Sequence, residues 1–376
     1  MASAGEQAGA TYGLTAGATS LIKGYLPALD GWRAVSILLV LASHGGFGKI
    51  IPGGLGVTIF FFISGFLITS LLVNELQATN KISLRKFYLR RFWRLSPPLL
   101  IYIVAAAMFI IFIKGEINVQ EILAATFYFA NYYLLNWHFE PLPFGPSPLA
   151  ILWSLAIEEH YYLFFAPLML FFGNTPKKLF SILFILLVGP LLIRCYHVYG
   201  TGQVFINDSY TYMATEARID SIAWGGVLAW VASRYSSDQV AKVLDAKFVV
   251  LLSAAILIIC LVVRDERFRE STRYTMQGMA LIAIFYSSVY GKTLRWSRLI
   301  LTNRWVVLTG KLSYSIYLYH WLALGMASWL VGTEKLILNW LICYYGLTLV
   351  MALASYKLIE QPTLAIRKKF GSHASI

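Results

Sequence analysis

The chain reads as an all-α polytopic membrane protein with about ten transmembrane helices and both termini in the cytoplasm, and three observations predict this. Hydrophobic residues make up 58% of its 376 positions and charged ones only 13%, against about 25% charged in a soluble domain. Eleven apolar segments can be drawn, near 27–47, 54–76, 95–113, 120–137, 150–172, 179–199, 217–233, 247–263, 274–290, 311–331 and 335–357. Lysine and arginine gather in the short stretches between them, the bias that sets membrane orientation. That clustering also accounts for the net charge of +13, so nucleic-acid binding is not expected. No cleavable secretory signal is expected either, because residues 1–24 are small and polar and the first apolar run is followed at once by others. Cys195, Cys260 and Cys343 stand singly in apolar segments, which implies neither a disulfide framework nor a zinc site.

Charge placement reduces the eleven segments to ten crossings. Six basic residues between Lys81 and Arg94 put that stretch on the inner side, and Lys177–Lys178, 234–247, 292–304 and 367–369 follow suit. Three segments lie between Arg94 and Lys177, yet both ends belong on one side, so an even number must cross. The weakest is 120–137, with Glu121, Asn131 and Asn136 inside it, and it is read as a short, partly inserted or outer-surface segment. The basic loop 264–273 is the exception on the expected outer side. The expected organisation is a polar tail (1–24), a membrane domain (25–362) and a basic cytoplasmic tail (363–376).

The first segment carries Arg33 and His44, eleven residues apart. At 100° per residue they project from one helix face, roughly 16 Å apart along the axis. Ionisable groups at such positions mark function by default; a snorkelling arginine and a packed histidine are the alternative. Asp30, three residues before Arg33, is placed to hold it. In the second segment Ser64 and Gly65 form a small-residue notch for close helix approach or a ligand. The stretch FYLRRFWRLSPP ends in a proline pair expected to open the third helix. Arg91 and Arg94 there share a face and make a fork for an anion, with Arg90 and Lys86 beside them; an anchor for acidic lipid headgroups is the alternative.

In WSLAIEEHYY, Ser154, Glu158, Tyr161 and Tyr162 fall near one face, with Glu158 expected opposite His44 at similar depth, while Glu159 and His160 are expected to face water or headgroups. A carboxylate there orients a histidine or binds sugar hydroxyls; an interfacial aromatic belt is the alternative. Asp220 is expected to pair with Arg218 or to bind a polar substrate. Ser313, Tyr317 and His320 form one stripe in GKLSYSIYLYHW, where His320 is a second candidate base or a packing residue. Glu360 is expected in an ion pair near Lys357 and Arg367. His138, His197 and His373 belong to no motif. No GxSxG elbow or P-loop is present.

These stretches together resemble the acyltransferase-3 family of bacterial integral-membrane O-acyltransferases. The matching elements are Arg-x10-His (Arg33, His44), FFFISGFLIT, Arg-x-x-Arg (Arg91, Arg94), WSLAIEEHYY, GKLSYSIYLYHW and, more weakly, YKLIEQP, in order from residue 27 to about 362. The resemblance implies ten core helices in a bacterial inner membrane and transfer of an acyl group, usually acetyl, from cytoplasmic acyl-coenzyme A to a sugar hydroxyl of an exported or cell-surface polysaccharide or its lipid-linked precursor. Some members add an SGNH esterase-like domain; a chain stopping at Ile376 is expected to act without one. On this reading the arginines (Arg33, Arg91, Arg94, Arg90, with Lys86) hold acetyl-CoA, no metal takes part, and His44 is general base or transient acyl carrier. Glu158 is the second catalytic candidate, and Asp30, Ser64, Ser154, Tyr161, Tyr162, Asp220, Tyr317 and His320 support the site or the acceptor. The rival is a flippase or carrier of a lipid-linked sugar that uses Arg33, His44 and Glu158 as an intramembrane relay. No internal repeat supports it.

Overall fold

The structure, a computed structural model, describes residues 24–173, 175–202 and 210–368, without the side chains of Pro176, Arg367 and Lys368. Nearly all of the expected N-terminal tail, the end of the basic tail and His373 lie outside these residues. Every extended element described is helical, and the nearest thing to a strand is an isolated bridge between Leu142 and Gly145. Apolar segments became helices because a helix satisfies its own backbone groups where water is absent.

Helix α1 (Pro27–Ala42) opens on a proline, whose missing N–H costs least there, and runs into a π-turn at Ser43–Phe47. That turn needs its glycines: Gly46 has φ +104°, and a Cβ on Gly45 would meet the Tyr345 hydroxyl at 2.7 Å. Helix α2 (Gly53–Thr79) returns antiparallel to α1. Helix α3 (Leu84–Lys114) does not wait for the proline pair. Ser83 caps it three turns earlier, accepting from the Lys86 N–H at 3.4 Å, and the helix carries Pro97 and Pro98 in its interior.

The 120–137 segment is two short helices, α4 (Val119–Thr126) and α5 (Ala130–Asn136), that pack against each other. The chain reverses at Tyr128, whose φ is +57°. The hairpin base is held where the Glu121 carboxylate accepts from the Glu140 N–H at 2.6 Å and Lys114 pairs with Glu140. At its tip the Tyr128 hydroxyl reaches inward to Ser96, part-way along α3, while Phe127 and Phe129 on either side are exposed. A 3₁₀ turn (Pro148–Leu152) leads into α6 (Trp153–Phe172). Pro167 inside α6 cannot bond the Leu163 carbonyl, and the Tyr88 hydroxyl takes that acceptor at 3.0 Å. Helix α7 (Pro176–Cys195) follows, then α8 (Asp220–Ala232), α9 (Lys247–Val262), α10 (Arg273–Val289), α11 (Ser313–Val331) and α12 (Leu338–Ser355), with short helices between.

Among the described residues five helices are long and apolar enough to cross a membrane: Gly53–Thr79, Leu84–Lys114, Pro148–Phe172, Lys177–Gly200 and Leu338–Ile366. The pair Ser237–Leu244 and Lys247–Val262 qualifies as a sixth only across a 54° bend. Of the remaining apolar segments some form short helices, such as the 13-residue α8, against about 20 residues for a full crossing, whereas α11 reaches 19 residues but carries polar groups such as His320 within it.

The Ser64–Gly65 notch is a packing feature. A Cβ on Gly65 would fall 1.8 Å from the Ile222 carbonyl oxygen, and one on Gly225 1.9 Å from that of Phe62. Helices α2 and α8 thus touch backbone to backbone. Gly65→Leu is expected to cost about 1–3 kcal/mol by overpacking, read as a lower melting temperature in detergent; an unchanged melting temperature would show that the helices part freely.

Candidate active site

The antiparallel α1–α2 pair fixes the depth of each polar group. Gly53 abuts Ser43, since a Cβ on it would lie 2.6 Å from the Ser43 Cβ. Ser64 is eleven residues farther along α2, roughly 16 Å away, and Arg33 is a similar distance from His44 down α1. Arg33 and Ser64 therefore meet at one level, far from His44. A cavity with an empty volume of about 890 Å³, its open mouth included, runs along α2 from Val57 past Ser64 to Leu71. Arg33, Ser64, Arg91, Arg94, Glu158 and Tyr162 line its middle and the end away from His44. Val57, Ser154 and Tyr317 line the end nearer His44.

Helices α1, α2, α3, α6 and α11 each supply part of this wall, and the arginine end is tightly held. Asp30 holds Arg33 as the spacing requires, Oδ1 to Nη1 at 3.2 Å, and is itself fixed by the Tyr25 hydroxyl at 2.8 Å. The Arg91 guanidinium lies 3.2 Å from the Tyr162 ring centroid and 3.4 Å from Glu159. Glu158 accepts from Ser64 at 3.0 Å and from Tyr162 at 3.2 Å. Three guanidinium groups line the cavity against the one carboxylate of Glu158, with Asp30 and Glu159 balancing Arg33 and Arg91 from outside the lining, and their planar forks suit an anion. At the other end Ser154 and Tyr317 share a 2.5 Å hydrogen bond, and the Tyr317 hydroxyl also donates to the Ile151 carbonyl at 2.9 Å.

His44 sits past that end, on the π-turn. Its Nδ1 is 3.0 Å from Nε2 of His320, and the Trp321 ring meets it edge-on at 4.4 Å. The turn's backbone is tied down, with the Tyr344 hydroxyl on the Leu41 carbonyl at 3.1 Å and Lys335 on that of His44 at 3.5 Å. His320 is fully buried on α11, one turn from Tyr317.

Several expectations are corrected. Glu158 does not face His44: it lies at the Ser64 level, because α6 begins beside Tyr317 and carries Glu158 a turn deeper than Ser154. Glu159 and His160 do not face water, since Glu159 pairs with Arg91 and His160 Nδ1 contacts Thr215 Oγ1 at 2.7 Å. Tyr161 leaves the stripe that Ser154, Glu158 and Tyr162 form at four-residue spacing. It stacks on Phe165 and points toward Gly226 of α8. Arg90 pairs with Glu75 at 3.2 Å and Lys86 is exposed, and neither lines the cavity.

Asp220 pairs not with Arg218 but with Arg194, bidentately at 3.0 and 2.8 Å. Arg218 lies 3.8 Å over the Tyr274 ring instead. Glu360 accepts from Ser315 and makes no ion pair with Lys357 among the described residues, while the Arg367 side chain of the expected pair lies outside them. Trp321, Tyr314 and Arg194 were not singled out from the sequence. The HW dipeptide was the only sign of Trp321, and nothing local marks Arg194.

Residues 26–357 match the family model described as an acyltransferase domain. The chain belongs to the acyltransferase-3 family. Among curated relatives, O-acetyltransferase OatA of Staphylococcus aureus (strain NCTC 8325 / PS 47) is 32% identical over 361 residues, covering 92% of this chain and 58% of the relative. The protein of the same name in strain COL matches to the same extent. This acyltransferase-3 chain therefore spans a little over half the length of the relatives it matches. No solved structure matches it.

Proposed function

We propose that the chain is a bacterial inner-membrane O-acyltransferase that moves an acyl group, most simply acetyl, from acyl-coenzyme A to a sugar hydroxyl. The acceptor would belong to an exported or cell-surface polysaccharide or its lipid-linked precursor. The observation that carries this is the cavity: three arginines at one end and, beyond Tyr317 at the other, the His44–His320 pair. Coenzyme A has the matching shape, an anionic head on a thin arm that ends in the reactive thioester. The relatives named O-acetyltransferases support acetyl as the group moved. Ten crossings with the arginine end facing the cytoplasm remain part of this proposal, because the donor is made there.

In the reaction the acceptor hydroxyl oxygen bonds to the acyl carbon and the carbon–sulfur bond breaks. The hydroxyl proton passes to His44 and on to the departing thiolate sulfur, which leaves as coenzyme A. In the two-step variant His44 takes the acyl group first and the hydroxyl then displaces it. Arg33, Arg91 and Arg94 hold the phosphates, where charge-assisted bonds are strongest. Glu158, at the arginine end with Ser64 and Tyr162, positions the donor side of the cavity.

The test is coenzyme A release from acetyl-CoA by the purified protein in detergent, with and without lipid-linked sugars. Wild type is expected to turn over. Arg91→Ala and Arg94→Ala are each expected to raise the donor KM about 10- to 100-fold, the effect of losing a charged hydrogen bond of about 1.5–3 kcal/mol. Absence of both donor binding and turnover would sink the reading in favour of a carrier for a lipid-linked sugar.

A further inference from the structure

We propose that His320 is a positioning residue that locks the tautomer of His44, making Nε2 of His44 the reacting nitrogen. This rests on the acyl-transfer reading for its consequence, but the lock itself follows from hydrogen-bond chemistry.

Nδ1 of His320 lies 2.6 Å from the carbonyl oxygen of Tyr317 and 3.2 Å from that of Ile316. A carbonyl oxygen only accepts, so Nδ1 of His320 carries the hydrogen. The other nitrogen of a neutral ring is then a lone pair, and in His320 that nitrogen faces Nδ1 of His44 at 3.0 Å. Two lone pairs cannot meet at that distance, so His44 holds its hydrogen on Nδ1. Its Nε2 is left as the basic nitrogen, and it has no protein partner among the described residues.

The ring geometry agrees. A ring nitrogen lies about 1.2 Å from its centroid, so a straight N–H···N bond would separate the centroids by about 5.4 Å. The observed separation is 5.2 Å with the planes 12° apart. The rings are nearly coplanar and the bond nearly straight.

The opposite arrangement needs a hydrogen on both nitrogens of His320. That would place an imidazolium in a site with no solvent exposure, next to the His44 turn that Lys335 already approaches. No carboxylate contacts either ring among the described residues, and an unpaired buried charge is costly. The neutral chain from the Tyr317 carbonyl through His320 to His44 is the one that satisfies every group. It does the orienting half of what a carboxylate does behind a catalytic histidine, without adding negative charge.

The experiment is nitrogen-15 NMR of the detergent-solubilised protein labelled on its six histidines, with the His44 signals identified by their loss in His44→Ala. Wild type is expected to show His44 protonated at Nδ1 and bare at Nε2, and His320 likewise. In His320→Ala the His44 hydrogen is expected to move wholly or partly to Nε2. His320→Gln offers an amide oxygen at similar reach and is expected to restore the wild-type pattern. In parallel, kcat is expected to fall about 10- to 100-fold in His320→Ala with donor KM unchanged, and to recover most of that loss in His320→Gln. Protonation of His44 at Nε2 in wild type, or equal kcat losses in the alanine and glutamine variants, would overturn the proposal. Should wild type transfer no acyl group at all, the functional reading falls while the tautomer measurement still decides the lock. The wild-type spectrum decides it even if the alanine variant fails to fold.

Discussion

His44→Ala is expected to lower acyl transfer about 10²- to 10⁴-fold, the range for removing a positioned general base. Donor affinity is expected to hold, because Arg33 lies roughly 16 Å down α1 from His44 on the π-turn, and Arg33 and Arg91 are held by Asp30 and Glu159 rather than by that turn. Coenzyme A release at saturating acetyl-CoA, paired with a binding measurement on the same sample, checks both halves. If the variant keeps more than a tenth of the wild-type kcat, His44 is not the group that handles the proton or the acyl chain. Rapid quench without acceptor separates the two forms of the mechanism. A burst of one coenzyme A per enzyme, absent from the alanine variant, is the mark of a transient acyl-histidine.

The largest effect on stability is expected at Asp220. Its carboxylate meets Arg194 with both oxygens and neither side chain has any solvent exposure. Thr275 bridges the pair, 2.7 Å from Asp220 and 2.6 Å from Arg194, and the guanidinium also donates to the Ser271 carbonyl at 2.7 Å. Asp220→Ala leaves a buried cation without its counter-charge, a loss of about 3–5 kcal/mol, while replacing both partners by apolar residues of similar volume is often nearly neutral. The single variant is therefore expected to melt on the order of 10 °C lower. The double variant Arg194→Met with Asp220→Leu is expected to regain most of that. Thermal unfolding in detergent reads both. A single variant that melts normally yet loses acceptor would instead make Asp220 a ligand residue.

Much of this was legible before the fold was seen, and the reasons for the rest are physical. Hydropathy located the helices because burying apolar segments is what forms them. Spacing along a single helix carried over directly: Asp30 holds Arg33, and Ser154, Glu158 and Tyr162 share a stripe. Relations between helices did not carry over. The depth of Glu158 depends on where α6 starts after the 3₁₀ turn, and loop charge says nothing about an offset of that size. Arg194 stands twenty-six residues before Asp220 on another helix, so the nearer Arg218 looked like the partner. Ser83 capped α3 before the proline pair could start it, since two prolines weaken a long helix without stopping it. The His44–His320 contact joins positions 276 residues apart, and only packing brings them together.

The contact between α2 and α8 also decides which parts of the protein can move. Helices separated by a layer of side chains can slide by repacking that layer, but Gly65 and Gly225 leave no such layer, so α2 and α8 act as a single plate. One wall of the cavity is part of that plate. A donor that needs a wider passage must therefore gain it from the opposite walls, where α3, α6 and α11 meet the cavity through long side chains such as Arg91, Tyr162 and Tyr314.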